Sequence, residues 1–323
     1  MIPRDAAELV DLARGGSRTA LARLLTYVES GGPEQRVTAA LAYASAPPYV
    51  VGLTGAPGAG KSTLTDRLIS LALQKASFDG VDPFEQVGVL CVDPSSPFSG
   101  GAILGDRIRM QDHATNVHVF IRSMATRGHL GGLSLAVPDA IRVLATARFP
   151  LVFVETVGVG QMEVEIASAA DTTIVVTNPG WGDSMQANKA GLLEVADIFV
   201  INKADRPGVR ETRRDLEQML DLGGAHQWRP LIVETIASDA SDVSGTEALW
   251  DAIVAHRRYL DAGPRDGDRR ARTRVALDKV LAAMVRAHVG ALAKGAAYEA
   301  QVDALLDGTT DPYRAAETLL SES

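Results

Sequence analysis

Gly55-Ala56-Pro57-Gly58-Ala59-Gly60-Lys61-Ser62-Thr63 decides how this chain is read. The apolar run Tyr49 to Leu53 leads into it, and Leu64, Leu68, Leu71 and Leu73 follow in a helical pattern. Strand, glycine-rich loop and helix, in that order, form the context of a phosphate-binding P-loop. Glycines let backbone N–H groups turn inward around phosphate oxygens, and the helix N-terminus adds partial positive charge. In that reading Lys61 reaches the β- and γ-phosphates and Ser62 offers its hydroxyl to Mg2+. Gly55, Ala56, Pro57, Gly58, Ala59, Gly60, Lys61, Ser62 and Thr63 are therefore all candidate nucleotide contacts.

From the P-loop onward, apolar β-rich runs alternate with helical patterns. The runs cover 49–54, 87–92, 117–122, 151–155, 172–177, 197–202 and 230–236; helical candidates cover 61–76, 131–147, 185–194 and 209–222. Strands such as Leu151-Val152-Phe153-Val154 are apolar throughout, as expected when helices cover both faces of a sheet. The alternation predicts an α/β fold with a mostly parallel sheet and right-handed crossovers. Ligands of such sheets bind at the carboxyl ends of the strands, where the remaining motifs fall.

Asn202-Lys203-Ala204-Asp205 follows the apolar run Ile198 to Ile201. It matches the Asn-Lys-x-Asp element by which GTPases read guanine. The Asp205 carboxylate can accept from guanine N1–H and the exocyclic amine, and adenine lacks that donor pair. Asn188-Lys189-Ala190-Gly191 begins the same way but lacks the aspartate, so it cannot read guanine. Ile236, Ala237 and Ser238 close the last strand, where a backbone N–H would meet guanine O6. Glu155-Thr156-Val157-Gly158-Val159-Gly160-Gln161 ends another strand at the position where P-loop enzymes hold Mg2+. Gln161 reads either as a water-orienting glutamine or as an ordinary helix start. Asp93-Pro94-Ser95-Ser96-Pro97 and Gly100-Gly101-Ala102-Ile103-Leu104-Gly105-Asp106-Arg107 add two carboxylates. Asp93 and Asp106 with Ser62 and Glu155 offer up to four oxygen ligands, a set suited to Mg2+, although Asp106 also reads as a helix cap. Lys61, Asp93, Asp106 and Glu155 form the candidate catalytic set. Asn178-Pro179-Gly180-Trp181-Gly182-Asp183-Ser184-Met185-Gln186 is either a partner-facing loop or a stiff turn with Trp181 tucked inward.

Residues 5–45 read as helical, broken at Gly15-Gly16 and at Gly31-Gly32-Pro33. Pro264 to Arg270 reads as a polar connector. Beyond it, Val275, Leu277, Val280, Leu281, Met284, Val285, His288, Val289 and Leu292 stripe a long helix, followed by helices near 296–306 and 311–321. That stripe could pack on its own nucleotide domain or on a second copy. The domain reading is a helical arm over 1–46, a P-loop GTPase domain over 47–262 and a helical extension over 263–323.

Composition narrows the partners. With 323 residues, 46% hydrophobic, a net charge of −8 and a single cysteine, the chain invites neither nucleic acid nor an anionic membrane surface. One cysteine excludes a disulfide framework. Cys91 lies in an apolar run and reads as a buried thiol. The N-terminus carries Asp5, Glu8 and Asp11 and lacks a signal-type apolar core, which predicts a cytoplasmic protein.

At these residues the chain resembles the MeaB family, also called ArgK-like or methylmalonic aciduria type A proteins. The resemblance rests on Gly55–Thr63, Asp93–Pro97, Gly100–Arg109, Glu155–Gln161, Asn178–Gln186 and Asn202–Asp205, in the family's order. It implies a P-loop G domain dimerised through its C-terminal helices, with slow intrinsic GTP hydrolysis. It further implies Ser62, Asp93, Asp106 and Glu155 in the Mg2+ region and switches near 93–109, 155–165 and 178–189. The implied role is a GTPase chaperone gating adenosylcobalamin delivery to methylmalonyl-CoA mutase or a related acyl-CoA mutase. Phe98, Trp181 and the Thr235–Ser238 loop depart from the family pattern. The alternatives are a nickel-metallochaperone GTPase, for which no Cys/His constellation is recognisable, a transport-associated kinase, and a nucleotide-bound scaffold.

Overall fold

The computed structural model describes residues 5–75, 84–93, 110, 113, 115–125, 136–156, 166–180, 191, 194–222, 227–239, 243–263 and 265–321, the side chains at 243–244, 265–269 and 271–272 excepted. The chain divides into two compact units, Met1–Gly267 and Asp268–Ser323.

The first unit is built on seven parallel strands: β1 (Tyr49–Gly55), β2 (Val87–Asp93), β3 (Val119–Ala125), β4 (Leu151–Thr156), β5 (Thr172–Thr177), β6 (Ile198–Asn202) and β7 (Leu231–Thr235). Their order across the sheet is β3-β2-β4-β1-β5-β6-β7. The expected mostly parallel sheet is thus parallel throughout. Strands β1, β2, β4, β5 and β6 are buried along their whole length, while the edge strands β3 and β7 are partly open. Unbroken apolar runs mark the five that carry neighbours on both sides.

Alternate residues of each strand feed opposite cores. On one face, Val50, Leu90, Val92, Val152 and Val154 pack against the N-terminal helices α1 (Ala6–Arg14), α2 (Arg18–Ser30) and α3 (Pro33–Ala42), and against α5 (Ala136–Thr146). On the other, Val51, Leu53, Val89, Cys91, Phe153, Ile174 and Val200 pack against α4 (Lys61–Gln74) and α7 (Val243–Ala262). Helix α6 (Val209–Leu222) sets Leu216 and Leu220 against Val175, Phe199 and Ile201. Cys91 is buried, as its apolar surroundings predict.

The helical arm starts where its caps dictate. Asp5 accepts from the amides of Ala7 and Glu8 at the head of α1, and Ser17 accepts from Ala20 N–H at the head of α2. Leu9, Leu21, Leu24, Leu25 and Val28 then reach the sheet-side core. Arg18 donates to the carbonyls of Asn116, Val117 and Val119, with its guanidinium 5.4 Å from the Phe120 ring centroid. The arm therefore grips the edge strand β3 as well as the helices beneath it.

A buried polar chain closes the amino-terminal edge of the sheet. Tyr49 Oη bonds Thr172 Oγ1, which lies 2.9 Å from His256 Nδ1, and His256 Nε2 lies 3.3 Å from Asp197 Oδ1. The Trp228 indole donates to Asp197 O and packs on His256 and Tyr259. Burial pushes the Tyr49 phenol well above its ordinary value. These contacts seat α7 on the starts of β1, β5 and β6.

The second unit carries α8 (Arg265–Leu292), which begins in the first unit, with α9 (Ala296–Leu306) and α10 (Pro312–Ser321). The stretch Arg265 to Arg270, expected as a connector, is instead the first turns of α8. Charged residues without apolar periodicity read as linker, yet arginine favours a helix and aspartate is tolerated in one.

Candidate functional site

The candidate residues gather at the carboxyl ends of β1, β2, β4, β6 and β7. The order of strands reverses around β1, with β2 and β4 on one side and β5 to β7 on the other, the position where such sheets open a crevice.

Three glycines shape the loop after β1. Gly55, Gly58 and Gly60 have φ of 129°, 73° and 96°, in the region that excludes most side chains. At Gly55 a Cβ would meet the Val176 carbonyl at 2.0 Å, and at Gly60 it would meet the Asn202 amide nitrogen at 2.1 Å. The loop can therefore run this close to β5 and β6 only without side chains at those two positions. Lys61 opens α4 and donates to the carbonyls of Gly55 and Ala56 at 2.7 and 2.9 Å. Its ammonium stands within the curve of the loop.

One turn of α4 meets the end of β4. The Ser62 hydroxyl donates to Glu155 Oε1 at 2.6 Å, and Thr65 donates to Lys61 O and to Glu155 Oε2. Ser62, Glu155 and Asp93 are buried, with Asp93 fully enclosed. Asp93 ends β2 one rung beyond the Val92–Thr156 pair, so it stands beside the strand that carries Glu155. The proton of Ser62 is spent on Glu155, which leaves the hydroxyl lone pairs as acceptors. Oxygen donors of this kind fit Mg2+, which takes one or two carboxylates and completes its octahedron with phosphate oxygens and water. Among the described residues no group of three or more His, Cys, Asp or Glu is arranged to hold a metal ion.

On the far side of the P-loop, Asn202 ends β6 and is 2% exposed. Its amide nitrogen donates to Ala59 O at 2.8 Å, and its amide oxygen accepts from Thr235 Oγ1 at 3.1 Å and Ala237 N–H at 3.0 Å. Lys203, at φ 58°, reaches back and donates to Gly58 O at 2.7 Å. Asp205 is exposed just beyond, with Ser238 exposed on the neighbouring loop. Three segments far apart in sequence are tied at one carboxamide.

Two contacts at the site escape motif reading, one of them made by Asn178, which the sequence places only in a partner-facing loop or a stiff turn. With its amide assigned from the surrounding acceptors, Asn178 donates to Ala59 O at 3.2 Å, a second hold on the carbonyl that Asn202 grips. Arg67, on α4, donates to Ala237 O at 3.4 Å and steadies the loop after β7. Neither follows from local pattern, because the partners lie more than a hundred residues away. Asp106, Gly158, Gln161, Trp181 and Asn188 to Ala190 lie outside the described residues.

The parallel sheet, the glycine loop with its lysine, and the Asn202–Asp205 element define a P-loop G domain. A family model described as methylmalonyl Co-A mutase-associated GTPase MeaB matches residues 21–296. The chain belongs to the MeaB family. It is 45% identical to a Pyrococcus abyssi protein named as a GTPase, over 98% of this chain and 96% of that one. It is 40% identical to the fused isobutyryl-CoA mutase of Cupriavidus metallidurans, over 78% of this chain and 23% of that protein. A crystal structure of a LAO/AO transport system kinase superposes with a TM-score of 0.67 at 26% identity, covering 99% of this chain and 98% of the other.

Replacing Asn202 tests the tie. Asn202→Ala strands the Thr235 hydroxyl and the Ala237 N–H in a buried place, at a cost of about 1–3 kcal/mol. Urea unfolding should show a lower midpoint with an unchanged slope; an unchanged midpoint would mean that the tie contributes nothing.

Proposed function

We propose that this protein is a GTPase chaperone that binds Mg–GTP and couples its hydrolysis to loading and protection of adenosylcobalamin in a partner acyl-CoA mutase. The observation that carries the guanine reading is the Asn202 carboxamide, which holds the P-loop and the loop after β7 in one arrangement beside Asp205. Asp205 accepts from guanine N1–H and the exocyclic amine, and ATP would leave that carboxylate unpaired. Because Ala237 N–H already donates to Asn202, the donor to guanine O6 is Ser238 N–H. The aliphatic stem of Lys203, anchored at Gly58 O, gives the base a flat apolar support.

At the phosphate end, Lys61 exchanges its bonds to Gly55 O and Ala56 O for phosphate oxygens, and the P-loop amides point at the same charge. Ser62, Glu155 and Asp93 would hold Mg2+, which neutralises charge across the β- and γ-phosphates. Asp106 is proposed to join them. Water is the phosphoryl acceptor, and turnover is slow until a partner completes the site. Support for a mutase as that partner comes from the family's description and from the relative in which the matching region is fused to an isobutyryl-CoA mutase. Methylmalonyl-CoA mutase is the proposed client, acting in the cytoplasm. No helix among the described residues is long and apolar enough to cross a membrane.

The C-terminal helices are proposed to form a homodimer. Val280, Leu281, Met284, Val285 and Val289 are each about half exposed on α8, and in the second unit Ala315 is the buried apolar residue among those described. An apolar stripe of that length on a soluble protein calls for a cover.

Three measurements test these readings. Asp205→Asn should weaken GDP binding about 100-fold or more while conferring affinity for xanthosine diphosphate, whose C2 oxygen accepts where guanine donates. Equal GDP affinity in both proteins would remove Asp205 from base reading. Purified methylmalonyl-CoA mutase should raise the GTP turnover of this protein about tenfold or more, as ordering a catalytic site in trans does in other GTPases; an unchanged rate would discard that client. Light scattering should give about twice the 34.1 kDa chain mass, falling to the monomer in Leu281→Glu/Val285→Glu. A monomeric native protein would refute the dimer.

A further inference from the structure

Glu29 lies in the last turn of α2, and its side chain is 7% exposed. A carboxylate there is disfavoured twice, by burial and by the negative end of the helix dipole. Its partners compensate. Arg122 of β3 donates from Nη2 to Glu29 Oε2 and, at 3.2 Å, to Thr26 Oγ1 one turn earlier. The other oxygen, Oε1, accepts from the backbone N–H of Ala125 at 3.4 Å.

Ala125 is the last residue of β3, and β3 is the edge of the sheet. Its N–H points away from β2, where no further strand among the described residues receives it. The terminal rung of an edge strand is where a sheet frays first. Glu29 supplies the missing acceptor, and its ion pair with Arg122, three residues back, holds the same strand end from the side. Across that rung the register partner of Ala125 is Asp93, the enclosed carboxylate that ends β2.

We propose that Glu29 is a positioning residue for the Mg2+ site: by fixing the final rung of β3 it fixes the backbone of Asp93 beside it. The inference rests on the assignment of Asp93 to Mg2+ in the proposed function. It gives the N-terminal arm a role in nucleotide chemistry without any contact to nucleotide. Groups that orient a metal ligand from behind typically carry a 10–100-fold effect on metal affinity.

The test is a Mg2+ titration of GTP hydrolysis by the full chain, with GDP affinity measured separately in excess chelator. In Glu29→Ala the Mg2+ concentration for half-maximal turnover should rise about tenfold, while metal-free GDP affinity stays within about twofold. Glu29→Gln keeps an acceptor for Ala125 N–H, loses the charge facing Arg122, and should fall between the two; it also serves if Glu29→Ala does not fold. Native Mg2+ dependence in Glu29→Gln and Glu29→Ala, with lowered thermal stability alone, would reduce Glu29 to a structural contact and overturn the inference. Wild-type protein with no Mg2+-dependent GTP turnover would overturn the proposed function and the inference with it. That outcome is distinct because it appears before any variant is made.

Discussion

The Asn202 carboxamide is the constraint on which the rest of the site depends. It is the last side chain of β6, and its two ends are committed in opposite directions, to Ala59 O in the P-loop and to Thr235 and Ala237 after β7. A buried amide hydrogen-bonded at both of its ends is worth more as a fixed geometry than as a contribution to stability. It also explains Gly60: any side chain there would occupy the space of the Asn202 amide nitrogen. The P-loop and the loop after β7 are thus held to each other through one side chain. The short Ser62–Glu155 bond does the same between α4 and β4. Two local ties, one on each side of β1, turn three strand ends and a helix start into a single cradle.

The architecture beneath keeps that cradle still. Five inner strands are apolar on both faces, and helices from both ends of the first unit cover them. At the opposite edge, the Tyr49–Thr172–His256–Asp197 chain seats α7 on three strand starts. Each hydroxyl and ring nitrogen in that chain has a partner, so the core admits polar groups there without leaving them orphaned. The sheet is held at its far end by a polar clasp and gathers the P-loop, Glu155 and Asn202 at its near end.

Much of this is legible in the sequence, for identifiable reasons. Long apolar runs mark β1, β2, β4, β5 and β6 to within a residue or two, because both of their faces are buried. The third run is read as 117–122, whereas β3 covers Val119–Ala125. Val117 is 74% exposed, and Arg122 and Ser123 interrupt the apolar pattern in an edge strand whose arginine answers Glu29. The start of α8 is misread for the opposite reason, since charge without periodicity resembles a linker. Within the site, residues that belong to a local motif stand out: Lys61, Ser62, Asn202 and Asp205. Arg67 and Glu29 do not, and Asn178 stands out only as the start of a candidate loop, because what gives each its role is a partner about a hundred or more residues away, brought near only by the fold.

The grip of Arg18 on β3 carries a consequence of another kind. An exposed edge strand offers a row of unpaired carbonyls, and that row is a template for a strand from another molecule. Here one guanidinium takes the carbonyls of Asn116, Val117 and Val119 and lies against Phe120. Of the three, only Val119 belongs to β3, so the arginine stands at the start of the edge where a neighbouring strand would otherwise add. A strand adding at that point would have to displace a charged group from a bond it already makes.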